Sequence, residues 1–145
     1  MYNDTITLFN FHATTKEWYP TVISGVDVGS PLSSKPTTQG IVNDDTVSII
    51  IKTNRCKQIN IHCGMRKDYI GPKGYARCDK PYEHFTFNDT KDFIYCGKWD
   101  GAGVIADESY ESGFYNYMNK NYDDVYKITS SVFYSLLPHF EIGGR

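Results

Sequence analysis

The sequence of 145 residues has no long run of like charge, no apolar stretch of membrane-spanning length and only four cysteines. Each scarcity excludes something. A membrane helix needs about 18–20 consecutive apolar residues, and no segment supplies them. Fifteen basic residues stand against seventeen acidic ones, a formal net charge of −2, so no basic field is available to grip a nucleic-acid backbone. The opening MYNDTITLFNF lacks the charged and apolar regions of a secretory signal, which points to an intracellular setting where stable disulfides are disfavoured. Gly-x-Ser-x-Gly, a Walker-type phosphate loop and His-Glu-x-x-His are all missing, and with them the commonest signatures of hydrolase, nucleotidase and zinc-protease chemistry. No catalytic residue and no cofactor site is expected, and the chain reads as a non-enzyme.

Aromatic residues, by contrast, are abundant. They make up 15% of the chain, with 12 Tyr and 8 Phe, and 12 Gly and 6 Pro punctuate it. Aromatic rings favour pleated, half-buried surfaces. Residues 4–11 alternate polar and apolar, with Ile6 and Leu8 on one face, as a strand does. Residues 17–28 continue the pattern, with Trp18, Val22, Val26 and Val28 inward, Pro20 at an edge or kink, and Gly25 at a bulge. Residues 29–44, GSPLSSKPTTQGIVND, read as a loop, long enough to suggest a function of its own. DTVSIIIKT at 45–53 is a strand that places Val47, Ile49 and Ile51 on one face and Ile50 on the other.

Residues 54–82 look irregular apart from a short strand around Ile59 and Ile61. Segments 84–87 and 92–95 read as a hairpin about the turn 88–91. The one helix expected covers 106–121, capped by Asp107 or Ser109, with Phe114, Tyr117 and Met118 at helical spacing and Gly113 weakening it. Strands at 126–134 and 139–142 follow, with Phe140 and Ile142 inward and His139 and Glu141 outward. Residues 143–145 read as expendable. The expected fold is mainly β: one domain over residues 1–145, a small antiparallel β-barrel or sandwich with long loops and one short helix.

Four constellations carry potential chemistry. Cys56, Cys63, Cys78 and Cys96, with His62 and His84 nearby, supply zinc-type ligands, but zinc sites prefer pairs two to four residues apart. The wide spacing favours free cysteines, and no metal is expected. Asp100, Asp107, Glu108 and Glu111 cluster near the helix start and read as solvated acids. The turn 97–103, GKWDGAG, lacks the strand–loop–helix order of a phosphate cradle. Tyr110, Tyr115, Tyr117, Tyr122 and Tyr126 offer rings for stacking on bases or sugars, yet so few basic residues flank them that packing or protein contact is favoured.

The two ends of the chain carry a resemblance. Residues 4–10 (DTITLFN), 18–22 (WYPTV) and 24–26 (SGV), then 114–119 (FYNYMN), 125–130 (VYKITS) and 137–145 (LPHFEIGGR), resemble small virion proteins of tailed bacteriophages of Gram-positive hosts. In that family the proteins are minor capsid or head–tail joining (head-closure, stopper-like) components. The likeness covers roughly half the chain and leaves the cysteine-containing middle, 54–98, unmatched. It implies a structural β-barrel without catalysis that self-associates into an oligomeric ring, seals the portal channel, and joins head to tail. The implied partners are a portal or adaptor protein and tail proteins, with non-specific proximity to packaged DNA and no membrane. The implied location is the virion, and the host cytoplasm during assembly. It also implies a terminal strand held by pairing within the barrel. Other readings are a tail-completion or minor capsid protein, a small Cys/His metal-binding module, and a carbohydrate-binding β-sandwich.

Overall fold

The computed structural model describes residues 3–29, 46–61, 65–101 and 103–145, and the backbone of 34–37 and 40–43. In chain order the elements are β1 (Asp4–His12), β2 (Glu17–Gly29), β3 (Ser34–Thr37), β4 (Gly40–Asn43), β5 (Val47–Lys52), β6 (Gln58–Asn60), β7 (Arg66–Tyr69), α1 (Pro72–Arg77), β8 (His84–Phe85), β9 (Phe93–Tyr95), β10 (Ile105–Ala106), α2 (Phe114–Asn121), β11 (Val125–Tyr134) and β12 (His139–Gly144). Six strands pair antiparallel in the order β1-β9-β11-β12-β5-β2, and β2 returns to β1 to close a barrel. Strand β10 adds two residues to the start of β2. The expected small antiparallel β-barrel is the fold observed.

The barrel closes because β2 serves two neighbours. Its first ten residues pair with β1, and Asp27–Gly29 pair with β5. Near the end of the first stretch, between Ser24 and Val26, Gly25 adopts φ 71° and the β1–β2 register shifts. A bulge here inserts one residue and bends the strand. It also reverses the inward phase. Upstream, Tyr19, Thr21 and Ile23 are buried; downstream, Val26 is. A single phase running through the whole strand is therefore overturned at Val22, which is only half-buried, and at Ile23, which belongs to the core. Pro20 sits where β2 pairs with β1 alone, so its missing N–H breaks no ladder on the other side.

The barrel is filled by Ile6, Leu8, Ile23, Val26, Val47, Ile49, Ile51, Ile94, Ile128, Phe140 and Ile142, and Ile59, Phe85 and Phe87 join them from outside the six strands. Ile59 comes from the short strand expected there, which is β6, and Phe85 and Phe87 from the expected strand at 84–87. The rest of 54–82, read as irregular, contains β7 and α1, and β7 pairs antiparallel with β6 and parallel with β8. Strands of three or four residues carry too few periods to be seen as alternation. The supposed hairpin between 84–87 and 92–95 does not form, since β8 joins β7 while β9 joins β1 and β11.

The outer face of β1 is buried too. Phe9, Trp18, Phe93, Phe114 and Met118 form a second cluster that seats α2 on the barrel. The helix begins at Phe114, eight residues later than the spacing suggests, because Ser112 and Gly113 take positive φ values of 65° and 92°. Asp107 still serves the helix end, accepting from the backbone N–H of Phe114 at 2.9 Å and from the indole N–H of Trp18 at 2.8 Å.

The segment 29–44 is not a plain loop. Strands β3 and β4 pair antiparallel within it; Pro36 and the polar residues around it had hidden a hairpin. Residues 30–33, 38–39 and 44–45 lie outside the described residues. The chain end, read as expendable, is tied into the barrel. Gly144 pairs with Val47, and Arg145 exchanges two backbone bonds with Lys127, at 2.8 and 3.0 Å.

Candidate functional site

Strands β11 and β12 form a hairpin whose base is part of the barrel and whose tip stands clear of it. The base is held by Phe140 and Ile142, which face inward and are buried. Phe133 leans on Phe140 with ring centroids 5.2 Å apart. Beyond that point the sequence stays apolar and the neighbours stop. Strand β9 pairs with β11 only across Val125, Tyr126 and Lys127. Among the described residues, the β11 edge from Thr129 to Tyr134 pairs with no strand other than β12.

The tip therefore carries apolar side chains into solvent. Leu136 is 89% exposed and Leu137 77%, and Val132 and Tyr134 lie nearly half exposed on the outer face below them. Single exposed leucines need no explanation, whereas a contiguous apolar patch marks a contact surface. An unpaired strand edge beside it is a second adhesive element. A hollow of about 490 Å³ lies against the tip, lined by Lys52, Thr53, Leu137, Pro138 and His139.

Polar contacts at the base fix the shape of this surface. The Thr53 N–H donates to the Pro138 carbonyl at 3.2 Å, which ties the turn to β5. The His139 ring stacks on Tyr134, with centroids 4.9 Å apart and planes 13° from parallel. Its Nε2 lies 2.9 Å from the Glu141 carboxylate and its Nδ1 2.6 Å from the Leu137 carbonyl. Both partners are acceptors, so both favour the doubly protonated ring, and the bond to Glu141 raises the His139 pKa most. The result is an apolar crest with a hydrogen-bonded His139–Glu141 pair at its foot, the arrangement of an interface core beside a polar rim.

The three described cysteines form no cluster. Cys56 is exposed in the turn before β6, while Cys78 and Cys96 are half-buried. Cys78 supplies its carbonyl to His12 at the end of β1, and Cys96 follows Tyr95, which pairs with Thr7 near the start of β1. Along a strand rising ~3.3 Å per residue these places are roughly 20 Å apart. Burial raises the thiol pKa at both, to about 11 at Cys96. His62 and Cys63 lie outside the described residues. Among the described residues no three His, Cys, Asp or Glu side chains converge on a metal-sized point.

Asp100, Glu108 and Glu111 are exposed, and only Asp107 has a structural task. The turn 97–103 is anchored, for the Thr7 hydroxyl donates to Gly97 O at 2.8 Å and accepts from Trp99 N at 3.0 Å. Most of the tyrosine run packs. Tyr110 lies 4.9 Å from Phe114 and 4.7 Å from Tyr117, and Tyr122 lies 5.5 Å from Tyr95.

A buried acid went unnoticed in the sequence. Asp92 is fully buried and accepts from Asn10 Nδ2 at 2.7 Å, Phe11 N at 2.9 Å and Asn88 N at 3.1 Å. Burial pushes its pKa up to about 7, while the hydrogen bonds pull the other way. It joins the turn 88–91 to β1 and has no opening to solvent. Among the described residues, no helix is long and apolar enough to cross a membrane.

A family model described as a family of unknown function (DUF6751) matches the chain over residues 1–145. No curated protein and no solved structure matches it.

Proposed function

The chain belongs to DUF6751, a family of unknown function, and we propose from its surfaces that it is a structural joining protein of the tailed-phage head–tail connector. On this reading it works without catalysis, in the virion, after assembly in the host cytoplasm. It associates into a ring with a portal or adaptor protein on one side and tail proteins on the other, near packaged DNA. The observation that carries the reading is the β11–β12 hairpin, whose leucine tip and open strand edge are fixed on a closed barrel. The resemblance at the two ends of the sequence supplies the virion context.

The energetics suit assembly on a partner. Burying Leu136 and Leu137 is worth roughly 3–6 kcal/mol for the pair. Association alone costs about 4–15 kcal/mol in lost freedom. The tip by itself therefore does not sustain a stable free oligomer, and the free chain is expected to elute as a monomer. A preformed portal or adaptor ring would supply the missing contacts.

The test is co-expression with the portal, adaptor and tail proteins encoded beside it, followed by electron microscopy of the purified complex. A ring containing the chain is expected. Leu136→Asp with Leu137→Asp is expected to abolish it while the monomer melts as before. A double variant that assembles normally, or the absence of virion genes around the coding sequence, would refute the reading.

A further inference from the structure

We propose that the cavity between the outer face of β1 and the start of α2 binds a small phosphorylated ligand carrying a planar ring, the chemical class of a nucleoside monophosphate. This inference is independent of the connector reading and of the hairpin tip.

The cavity holds about 250 Å³. Drug-sized ligands occupy ~300–1,000 Å³, so the occupant is smaller than these. Its walls are aromatic. Phe11 lies 5.0 Å from Trp18, Trp18 5.0 Å from Phe93, and Phe93 5.1 Å from Tyr115, measured between ring centroids. Phe11, Trp18 and Tyr115 line the space itself. A ring sliding between such walls gains stacking contacts of the kind that hold bases on aromatic platforms.

Two ammonium groups face the same space. Lys91 Nζ stands 5.2 Å from the centre of the Phe11 ring, and Lys127 Nζ 5.2 Å from that of Tyr115. Among the described residues neither forms an ion pair. The acid in the lining is Asp107, and its Oδ1 already accepts from Trp18 Nε1 and Phe114 N. That carboxylate is committed to holding the helix, which leaves the lysines with ring contacts but no carboxylate partner in the lining, and the cavity net positive. Thr90, Ser112 and Asn116 add polar groups at the rim. A neutral sugar would use the rings and leave both ammoniums unanswered, whereas a phosphate answers both and its attached base uses the rings.

The experiment is titration of the full chain with AMP, adenosine and inorganic phosphate, read by amide chemical shifts and calorimetry. AMP is expected to move the amides of Lys91, Ser112 and Asn116 and to bind more tightly than either fragment. Lys91→Gln and Lys127→Gln each remove a charge-assisted bond and are expected to weaken AMP about tenfold. Lys120→Gln, elsewhere on α2, should leave it unchanged. Both lysines lie outside the buried core, and the shift map of the parent protein locates the site even if a variant misfolds. Absence of shifts at millimolar AMP, shifts confined to another surface, or adenosine or phosphate binding as tightly as AMP would each overturn the proposal.

Discussion

Replacing Phe140 with alanine should remove a large share of the stability of the barrel. The ring is 2% exposed and sits on β12, which pairs with both β11 and β5. It touches Tyr69 and Phe87 at 5.1 Å, Phe133 at 5.2 Å and Phe85 at 5.9 Å between centroids. It therefore bridges the barrel wall and the short strands β7 and β8. Truncating such a ring costs ~3–5 kcal/mol, because the transfer energy is lost and the surrounding rings cannot close the space. Against a typical total of ~5–15 kcal/mol this is about a fifth or more, and at ~2–4 °C per kcal/mol for a chain of this size it lowers Tm by roughly 6–20 °C. Leu136→Ala is the internal control. Its side chain is almost wholly in solvent, and such surface changes stay within about 0.5 kcal/mol. Urea unfolding followed by circular dichroism measures both. The reasoning fails if the Phe140 variant loses less than about 1 kcal/mol, within the range of ordinary substitutions, or if both variants lose the same amount.

Three further outcomes follow from the same contacts. Asp92 has a pKa raised to about 7 in the folded chain against 3.8 for an ordinary carboxyl. The folded state thus holds the proton more tightly, and this contribution is complete below pH ~4 and lost as pH rises through ~7. Asp92→Asn should flatten that slope in urea midpoints taken from pH 4 to 7, and an unchanged slope would count against it. Asp107→Ala leaves Trp18 Nε1 and Phe114 N without their acceptor. It should cost ~1–3 kcal/mol and shift the tryptophan fluorescence, and a neutral melt with an unchanged spectrum would refute it. Removing residues 143–145 strips both Lys127–Arg145 bonds and the Gly144–Val47 pairing. The shortened chain should melt clearly below the parent, and an equal Tm would restore the view that the end is expendable.

Much of the barrel was legible because its strands are long enough to show their period. Ile6 and Leu8, Val47, Ile49 and Ile51, and Phe140 and Ile142 all face inward as their alternation says. The failures share a cause, which is that period-2 reasoning assumes an unbroken phase and a strand of several residues. Gly25 was recognised as a bulge, yet one phase was carried across it, so Val22 displaced Ile23. Strand β7 has four residues, too few to show a period, and β8 pairs with it and not with β9, a choice that alternation does not contain. The late start of α2 follows from backbone angles at Ser112 and Gly113 that a count of helical spacing does not contain.

The candidate surface was harder to read than the fold, and the reason is topological. In the sequence, Val132, Tyr134, Leu136 and Leu137 are indistinguishable from Phe140 and Ile142, since all belong to one apolar stretch. What separates them is the face each takes in the hairpin and, for Leu136 and Leu137, a place in its turn. Strand β9 ends its pairing at Lys127, so among the described residues the outer edge of β11 runs on without a strand partner, while β12 is backed by β5 along its whole length. Phe133 pairs opposite Phe140 on the inner face, whereas Val132 and Tyr134 pair opposite Glu141 and His139 on the outer one, so alternation turns the first pair toward the core and leaves Val132 and Tyr134 in solvent. A three-residue β9 is set by Asp92, whose side chain accepts from Phe11 and Asn88 and whose carbonyl accepts from Ile128 N at 3.1 Å. These bonds hold the chain in the turn immediately before Phe93. The open edge of β11 thus begins where that turn ends β9, while Val132 and Tyr134 reach solvent because they share the outer face with Glu141 and His139.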